Sequence, residues 1–341
     1  MQAKKSQYEI YSTMLDMQCK HAREIFKPIL PKKPTESDLL QAAFKYAPDM
    51  RNGLNLHIFS EEHFWVRSGA NAIFPESAEV LDNLMRARFQ MDAAEGFSLP
   101  FQSFIISMPQ GYKVDGLKIP SFLVSWFPYR QLEELIIGPF GRHAKFDKPL
   151  LVNLEDSTED EMAISICYRD PVSPTAFART FLSTAKIPEL LQARTNEEFT
   201  KDLAVYQKLS RVEGLSDLDL HLQRIMMRLV AALGIYNMAT DGDRLLPGFP
   251  GKQEPKLIGR APASGFRSMT LANAFPPASD GSSPLAESYY RTWFFRQLRS
   301  ERYYKGEFSE YSPGSRYVFV SDTVVGKQVA AHTQKFVEEK Y

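Results

Sequence analysis

Phe101-Gln102-Ser103-Phe104-Ile105-Ile106-Ser107 and Ile119-Pro120-Ser121-Phe122-Leu123-Val124-Ser125-Trp126-Phe127 are the stretches whose reading decides the fold. Both are short, rich in β-branched and aromatic residues, and bounded by Pro, Gly or polar turn residues, which is strand chemistry. Two more runs of the same kind occur at 149–154 and 162–168. The segments between them are too short to be helical crossovers throughout. The region from Phe97 to Cys167 is therefore expected to form a mostly antiparallel sheet.

Helical patterns flank this region on both sides. Tyr8, Tyr11, Leu15, Ala22, Ile25 and Phe26 recur at helical spacing over residues 6–27, and Pro28, Pro31 and Pro34 close that run. Ser37-Asp38 opens a short helix through Tyr46, and Ser77 opens another that runs to about Phe89. Residues 54–67 fit either a helix or a strand. After the sheet region, Thr195 and Glu198 have the spacing of a capping box for a helix over 195–210. Leu218, His221, Leu222, Ile225, Met226, Leu229 and Leu233 stripe a longer helix over 216–239. The predicted class is α+β: N-terminal helices, a mostly antiparallel sheet, a central helical pair and a C-terminal helix–strand element.

The pattern divides the chain into a main α+β domain over 1–239, an irregular connection over 240–284 and a C-terminal element over 285–341 packed on the main domain. The connection is dense in Pro and Gly, from Pro247 and Gly248 to Gly281 and Pro284, which suits a core poorly. A weak strand is expected at 266–270.

Forty-one Lys and Arg balance 41 Asp and Glu, so no global field draws the chain to nucleic acid or membrane, and any such contact has to come from a local patch. Two cysteines, Cys19 and Cys167, exclude a disulfide framework and a Cys-based zinc site by count. Both sit in apolar patterns and read as buried reduced thiols, which fits a reducing cytoplasm. The N-terminus has no apolar core of the signal-peptide kind, and no apolar run approaches the ~20 residues that span a bilayer. A cytoplasmic protein with no membrane association is expected; its oligomeric state is left open.

Catalytic chemistry leaves little trace. His57 and His63 are six residues apart with Glu61 and Glu62 between them, whereas a helical zinc-protease motif needs two His four apart. His221 falls on the apolar stripe of its helix and reads as a core histidine. The acidic run Glu155-Asp156-Ser157-Thr158-Glu159-Asp160-Glu161 lacks the pattern of a calcium loop and reads as a solvated turn. Gly248-Phe249-Pro250-Gly251-Lys252-Gln253 has neither the glycine spacing nor the Ser or Thr of a phosphate loop, and its proline removes a backbone donor. No catalytic residue, metal site or cofactor is expected. A dispersed hydrolase or nuclease site stays open, because spatial sites need not leave local motifs.

The segment from Tyr289 to Lys305 stands out against this balance, with seven aromatics and five cations against Glu301 alone. A strand-like run, Arg316 to Val325, follows it. Helical geometry over 285–300 would place Tyr289, Trp293, Arg296 and Ser300 on one face and Tyr290, Phe294 and Leu298 on another. On one reading the aromatics bury against the body and the arginines form a solvated rim. On the other, guanidinium groups pair with carboxylate or phosphate while rings stack on bases or peptide groups. The candidate binding residues are Arg291, Arg296, Arg299, Arg302, Tyr303, Tyr304, Lys305 and Arg316.

The order of features resembles a phage-borne anti-CRISPR family, the type V-A inhibitors that limit production of the Cas nuclease. The resemblance runs from the Trp65-containing stretch to Ala72-Ile73-Phe74-Pro75, then Leu99-Pro100-Phe101 ahead of the β segment with Met108-Pro109. It continues through the apolar helix Ile225–Leu233, a Pro-rich loop, and an arginine–aromatic tail that feeds a final strand from Ser315 to Gly326. Arg299-Ser300-Glu301-Arg302-Tyr303-Tyr304 matches the family's Arg-rich segment in arginines and aromatic character, without its His and Trp. The resemblance implies a non-enzymatic, phage-encoded α+β protein, an anti-CRISPR-like inhibitor acting on a nascent polypeptide or its mRNA in an infected bacterial host. Its expected partners are a host or phage protein and RNA. The alternative is a single-stranded RNA- or DNA-binding protein of phage nucleic-acid metabolism.

Overall fold

The apolar runs of the sheet region carry bulky residues at odd and even positions alike. A strand sends these to opposite faces, so the sheet has to be covered on both sides. The computed structural model describes residues 7–35, 53–91, 96–128, 162–170, 177–192, 217–251, 254–273, 289–291, 294–320 and 323–325, with Asp38, Leu39, Ala42 and Ala94 between them. Its centre is a seven-stranded sheet. In sequence order the strands are β2 (Asn71–Pro75), β4 (Ser103–Ile106), β7 (Phe122–Pro128), β8 (Met162–Arg169), β9 (Phe177–Ser183), β10 (Leu245–Pro247) and β12 (Arg267–Leu271). The spatial order is β10-β12-β2-β4-β7-β8-β9. β12, β2 and β4 run parallel and the other pairings are antiparallel, so the fold is α+β on a mixed, mostly antiparallel sheet.

Each face carries its own core. Ile73, Phe104, Ile106, Phe122, Val124, Ile164 and Ile166 point to one side, against α3 (Ala78–Arg86), α4 (Ile187–Gln192) and α5 (Asp217–Ala239). Ala72, Phe74, Ile105, Leu123, Phe127 and Cys167 point to the other, toward α1 (Met14–Ile25) and α2 (Gly53–Arg67). Cys167 is buried as a free thiol, and burial raises its pKa well above the ordinary range, the Glu61 charge adding to the effect. α5 is buried almost all round, with Val230, Ala231, Ala232 and Leu233 consecutive and sealed. Gly234 lets this happen: a Cβ there would lie 2.7 Å from the Phe97 ring and 2.9 Å from Leu99.

Over its described residues, 240–251 and 254–273, the Pro/Gly-rich stretch contains regular structure. Its prolines and glycines punctuate three short strands, β10, β11 (Lys256–Ile258) and β12. The strand expected at 266–270 is β12, an interior strand paired with β2 over its full length, with Met269 and Leu271 in the core. β11 pairs in parallel with β1 (Gln7–Glu9), so the N-terminal run is not one helix from residue 6. The ladder takes its first residues, and α1 begins at Met14, where Thr13 Oγ1 accepts from the Asp16 N–H at 3.2 Å as the N-cap. The helix opened by Ser77 likewise ends at Arg86, because β3 (Arg88–Gln90) joins another sheet. The run at 149–154, the acidic run 155–161, the helix over 195–210 and most of the helix from Ser37 to Tyr46 lie outside the described residues.

Ambiguous in sequence, residues 54–67 are helical and packed between two layers. Ile58, Phe59, Ser60, Glu61 and Glu62 are all buried, and five consecutive helical positions cannot share one face. The two carboxylates point apart. Glu62 faces the N-terminus of α1: its Oε1 accepts from the Tyr11 hydroxyl at 2.7 Å and the Met14 N–H at 2.8 Å, and its Oε2 accepts from the Leu15 N–H at 2.7 Å. Two otherwise orphaned amides of a helix terminus are thereby satisfied by an anion at the positive end of the helix dipole.

Burial raises Glu62 from 4.5 to about 7, against the pull of those donors, and the Asp16 charge adds to the rise. The unfolded chain then releases its proton at lower pH than the folded one. The contribution of Glu62 to stability is full below about 4.5, falls as pH climbs toward about 7, and is flat above that. Urea unfolding across this window, with Glu62→Gln as reference, is expected to show the wild type losing stability relative to the variant as pH rises. A pH-independent difference would contradict the assignment.

Candidate functional site

The residues singled out in the tail build a small lobe rather than a helix. β14 (Phe294–Leu298) lies between β15 (Arg316–Val320), antiparallel, and β3, parallel. The spacing of the buried Phe294, Phe295, Gln297 and Leu298 would also fit one helical face, but residues 294–298 form a strand hydrogen-bonded on both sides, to β15 and β3, with Arg296 alone pointing to solvent. Phe295 stacks on Phe89 at 5.4 Å between ring centroids and meets Tyr236 of α5 edge-on at 6.3 Å. Gly96, at φ +72°, passes so close to Ser315 that a Cβ there would sit 2.7 Å from the serine Cβ. These contacts dock the lobe onto the main core. Further along, Tyr289–Arg291 pairs with Thr323–Val325 as β13 and β16; the Arg291 side chain lies outside the described residues.

The connection from Arg299 to Ser315 closes over a buried tyrosine. The Tyr304 hydroxyl donates to the Leu298 carbonyl at 2.5 Å and accepts from the Gly314 N–H at 2.8 Å and the Arg316 N–H at 3.2 Å. Gln297 Nε2 donates to the Gly314 carbonyl at 2.7 Å. Arg316 lies over the Phe308 ring at 3.4 Å and donates to the Tyr303 carbonyl at 3.1 Å. Tyr304 and Arg316 thus form the frame of the loop, and their polar groups are engaged within it.

Four cations remain on the outside: Arg296, Arg299, Arg302 and Lys305 are exposed. Arg299 Nε donates to Gln297 Oε1 at 3.3 Å. The Arg302 guanidinium lies 4.6 Å from the centre of the Tyr303 ring and donates to its hydroxyl at 2.5 Å, giving a half-exposed cation–aromatic pair. Glu301, Glu307 and Glu310 are exposed on the same connection. Four cations against three carboxylates make a surface of alternating sign rather than a basic patch. It offers directed guanidinium hydrogen bonds and flat rings with little net field.

A second polar cluster comes closer to catalytic chemistry, and a reading of the sequence centred on the tail misses it. Glu61 reaches the opposite side of α2 from Glu62, onto the sheet. Its Oε1 accepts from Arg179 Nε at 2.6 Å and Ser165 Oγ at 2.8 Å, and its Oε2 accepts from Cys167 Sγ at 3.4 Å. Cys167 and Arg179 are paired in register across β8 and β9, so one carboxylate spans both strands. His57, one turn earlier on α2, is held neutral: burial lowers its pKa to about 3, helped by the Arg179 charge. Glu61 is wholly sealed from solvent, so no substrate reaches the cluster. It works as a buried ion pair. The sequence carries a signal of it, two adjacent acids between the apolar pairs Ile58-Phe59 and Phe64-Trp65, but the partners of Glu61 lie more than a hundred residues away.

Among the described residues no three His, Cys, Asp or Glu side chains gather as a metal site, and no helix is long and apolar enough to cross a membrane. No family model matches the chain, and no curated protein matches its sequence. What the protein does therefore has to follow from its own surface chemistry.

Tyr304→Phe is expected to leave two amides and a carbonyl without their shared partner, at a cost of roughly 1–3 kcal/mol. Hydrogen exchange should accelerate at the Gly314 and Arg316 amides while β7 and β8 keep their protection. Unchanged exchange at both amides would show that the hydroxyl does not hold the loop.

Proposed function

We propose that this chain is a non-enzymatic, phage-encoded binding protein, an anti-CRISPR-like inhibitor that acts on a nascent polypeptide in the cytoplasm of an infected bacterial host. The lobe formed by β14, β15 and their connection makes the contact. The observation that carries this reading is the exposure of Arg296 on β14 and of Arg299, Arg302 and Lys305 on the adjoining loop, whose base is pinned by Tyr304. A pre-ordered loop loses little entropy on binding, so its guanidinium groups are available for directed contacts. The exposed Glu301, Glu307 and Glu310 favour a partner that itself carries both signs of charge, as a polypeptide does, over a uniformly anionic strand. The ordered family resemblance supplies the phage and inhibitor part of the proposal.

A second reading rests on the Arg302–Tyr303 stack, which presents a flat, cationic platform of the kind on which unpaired bases stack. On it the protein binds single-stranded RNA or DNA, including the mRNA of its target. The two differ in salt dependence, because release of counterions from phosphates makes nucleic-acid binding fall steeply with salt.

Arg299→Ala/Arg302→Ala is expected to weaken co-sedimentation with ribosome–nascent-chain complexes from the infected host by about tenfold or more, through loss of charged hydrogen bonds. Its melting temperature should stay that of the wild type, both side chains being exposed. Equal co-sedimentation of variant and wild type would sink the site. Mobility shift of labelled single-stranded RNA at low and high salt decides between the readings: strong retention that collapses with salt selects the second.

A further inference from the structure

The lobe shares β3 with a cleft that no local stretch of sequence announces. The cleft is walled by the C-terminal end of α3, β3, α4 and α5. Its remaining wall is β5 (Lys113–Val114) with Asp115 of the turn that leads to β6 (Leu117–Lys118), and its volume is about 950 Å³. Five cations line it, Arg86, Arg88, Lys113, Arg224 and Arg228, against Asp82 and Asp115. In sequence these cations are spread from 86 to 228, so no window of the chain reads as basic.

Both acids are engaged. Asp82 accepts from the Tyr112 hydroxyl at 3.1 Å, and Asp115 lies 3.4 Å from His221 Nε2. Among the cations Arg228 is also spent. It donates to the carbonyls of Leu191 at 2.6 Å and Ala87 at 3.2 Å, with longer contacts to Met85 and Leu190. It thus caps the C-terminal ends of α3 and α4, where the helix dipoles are negative. Arg224, one turn before it, has no carboxylate within ion-pair distance among the described residues. One of its terminal nitrogens meets His221 Nδ1 at 3.1 Å, and its Nε is sealed from solvent with no partner. Burial lowers its pKa, and Asp115, the charge that opposes this, is already shared with His221. Arg86, Arg88 and Lys113 are exposed at the rim, with no hydrogen bond or ion pair to a described residue.

Five cations against two carboxylates, whose partners Tyr112 and His221 do not neutralise them, leave this concavity short of anions. Surface arginines in a neutral protein ordinarily spread out, and crowding Arg224 beside Arg228 costs repulsion that a ligand would relieve. The missing charge has to be dense: several negative charges within a space of this size describe a polyphosphate rather than carboxylates strung along a peptide. Between the cations Met85 and Val114 are half-buried over the buried Leu191 and Ile225, a narrow apolar strip against which an uncharged ring and sugar can lie. The volume falls within the range of small-ligand sites, roughly 300–1,000 Å³. Guanidinium groups match phosphate oxygens in geometry as well as in charge.

We propose that this cleft binds a nucleoside polyphosphate, with Arg86, Arg88 and Lys113 gathering the phosphates at the rim, Arg224 supplying charge behind them, and the apolar wall taking the nucleoside. The same chemistry is offered by a free nucleoside triphosphate and by the triphosphorylated 5′ end of an RNA strand. The site is distinct from the lobe surface, so its failure leaves the polypeptide-binding reading standing, and the reverse holds.

Calorimetric titration of the full chain with ATP, with GTP, and with a short RNA bearing either a 5′-triphosphate or a 5′-hydroxyl tests it. Binding of a free triphosphate, or of the triphosphorylated RNA in preference to its hydroxyl form, is expected, and which of them binds identifies the source. Arg86→Ala/Arg88→Ala should weaken that binding by about tenfold or more without lowering the melting temperature. Arg299→Ala/Arg302→Ala should leave the binding of ATP and GTP unchanged. The proposal is overturned if none of these probes binds at millimolar concentration, if the rim variant binds as the wild type does, or if the lobe variant is the one that loses ATP and GTP binding. Inorganic triphosphate binding as tightly as the nucleotides would overturn the nucleoside assignment.

Discussion

Two adjacent carboxylates on α2 hold the layers of this protein together. Glu61 and Glu62 are consecutive on a helix, so their side chains diverge by about 100°. One is directed onto β8 and β9 through Ser165, Cys167 and Arg179, and the other onto the first amides of α1 through Met14 and Leu15. A buried carboxylate is costly to desolvate, and each is offset here by at least three donors. Removing one partner of such a buried pair costs roughly 3–5 kcal/mol, because the other charge stays behind unpaired. Apolar packing alone would let α2 slide or rotate over a sheet face of Leu, Phe and Ala. Directed bonds from two successive residues fix both its rotation and its height. The serines of that face, Ser103, Ser125 and Ser165, lie side by side on β4, β7 and β8, and leave room for a carboxylate where larger side chains would not.

How far the fold is legible in the sequence follows from the range of its contacts. β4, β7 and β8 declare themselves, because their apolar runs are local and their turns carry Pro and Gly. α5 does too, from its stripe. Residues 54–67 are ambiguous for a physical reason: a helix covered on two sides loses the one-sided pattern by which an amphipathic helix is recognised. The stretch after residue 240 reads as an irregular connection because its three strands are short and separated by Pro and Gly. Its stability comes from β2 and β1, nearly two hundred residues or more away in the chain. Composition reports what a segment can do alone, and β12 does nothing alone.

The same contrast governs the candidate site. Cation–aromatic density points to the tail, and the exposed Arg296, Arg299, Arg302 and Lys305 are there. Composition cannot separate these from Tyr304 and Arg316, which carry the same chemistry and spend it inside the loop. Nor does it register that Glu307 and Glu310, just past the dense stretch, share the surface and dilute its charge. The basic cleft is hidden for the opposite reason, since its cations come from four elements and meet only in the folded chain.

β3 joins the two surfaces. Arg88 at the cleft rim is in register with Phe294, Phe89 stacks on Phe295, and Gln90 lies opposite Arg296, the exposed cation of the lobe strand. Phe89 is also the ring beneath Arg228, at 5.8 Å. A three-residue strand therefore has the cleft on one side and the lobe on the other, with one stacked aromatic pair as its fixed point. Charge added in the cleft acts on Arg88 and Arg228, and both are mechanically tied through Phe89 to the strand that presents Arg296. Packed aromatic contacts of this kind do not deform continuously. The Phe89–Phe295 stack is one physical link between the two surfaces, and α5, which lines the cleft through Arg224, Ile225 and Arg228 and meets Phe295 through Tyr236, is a second.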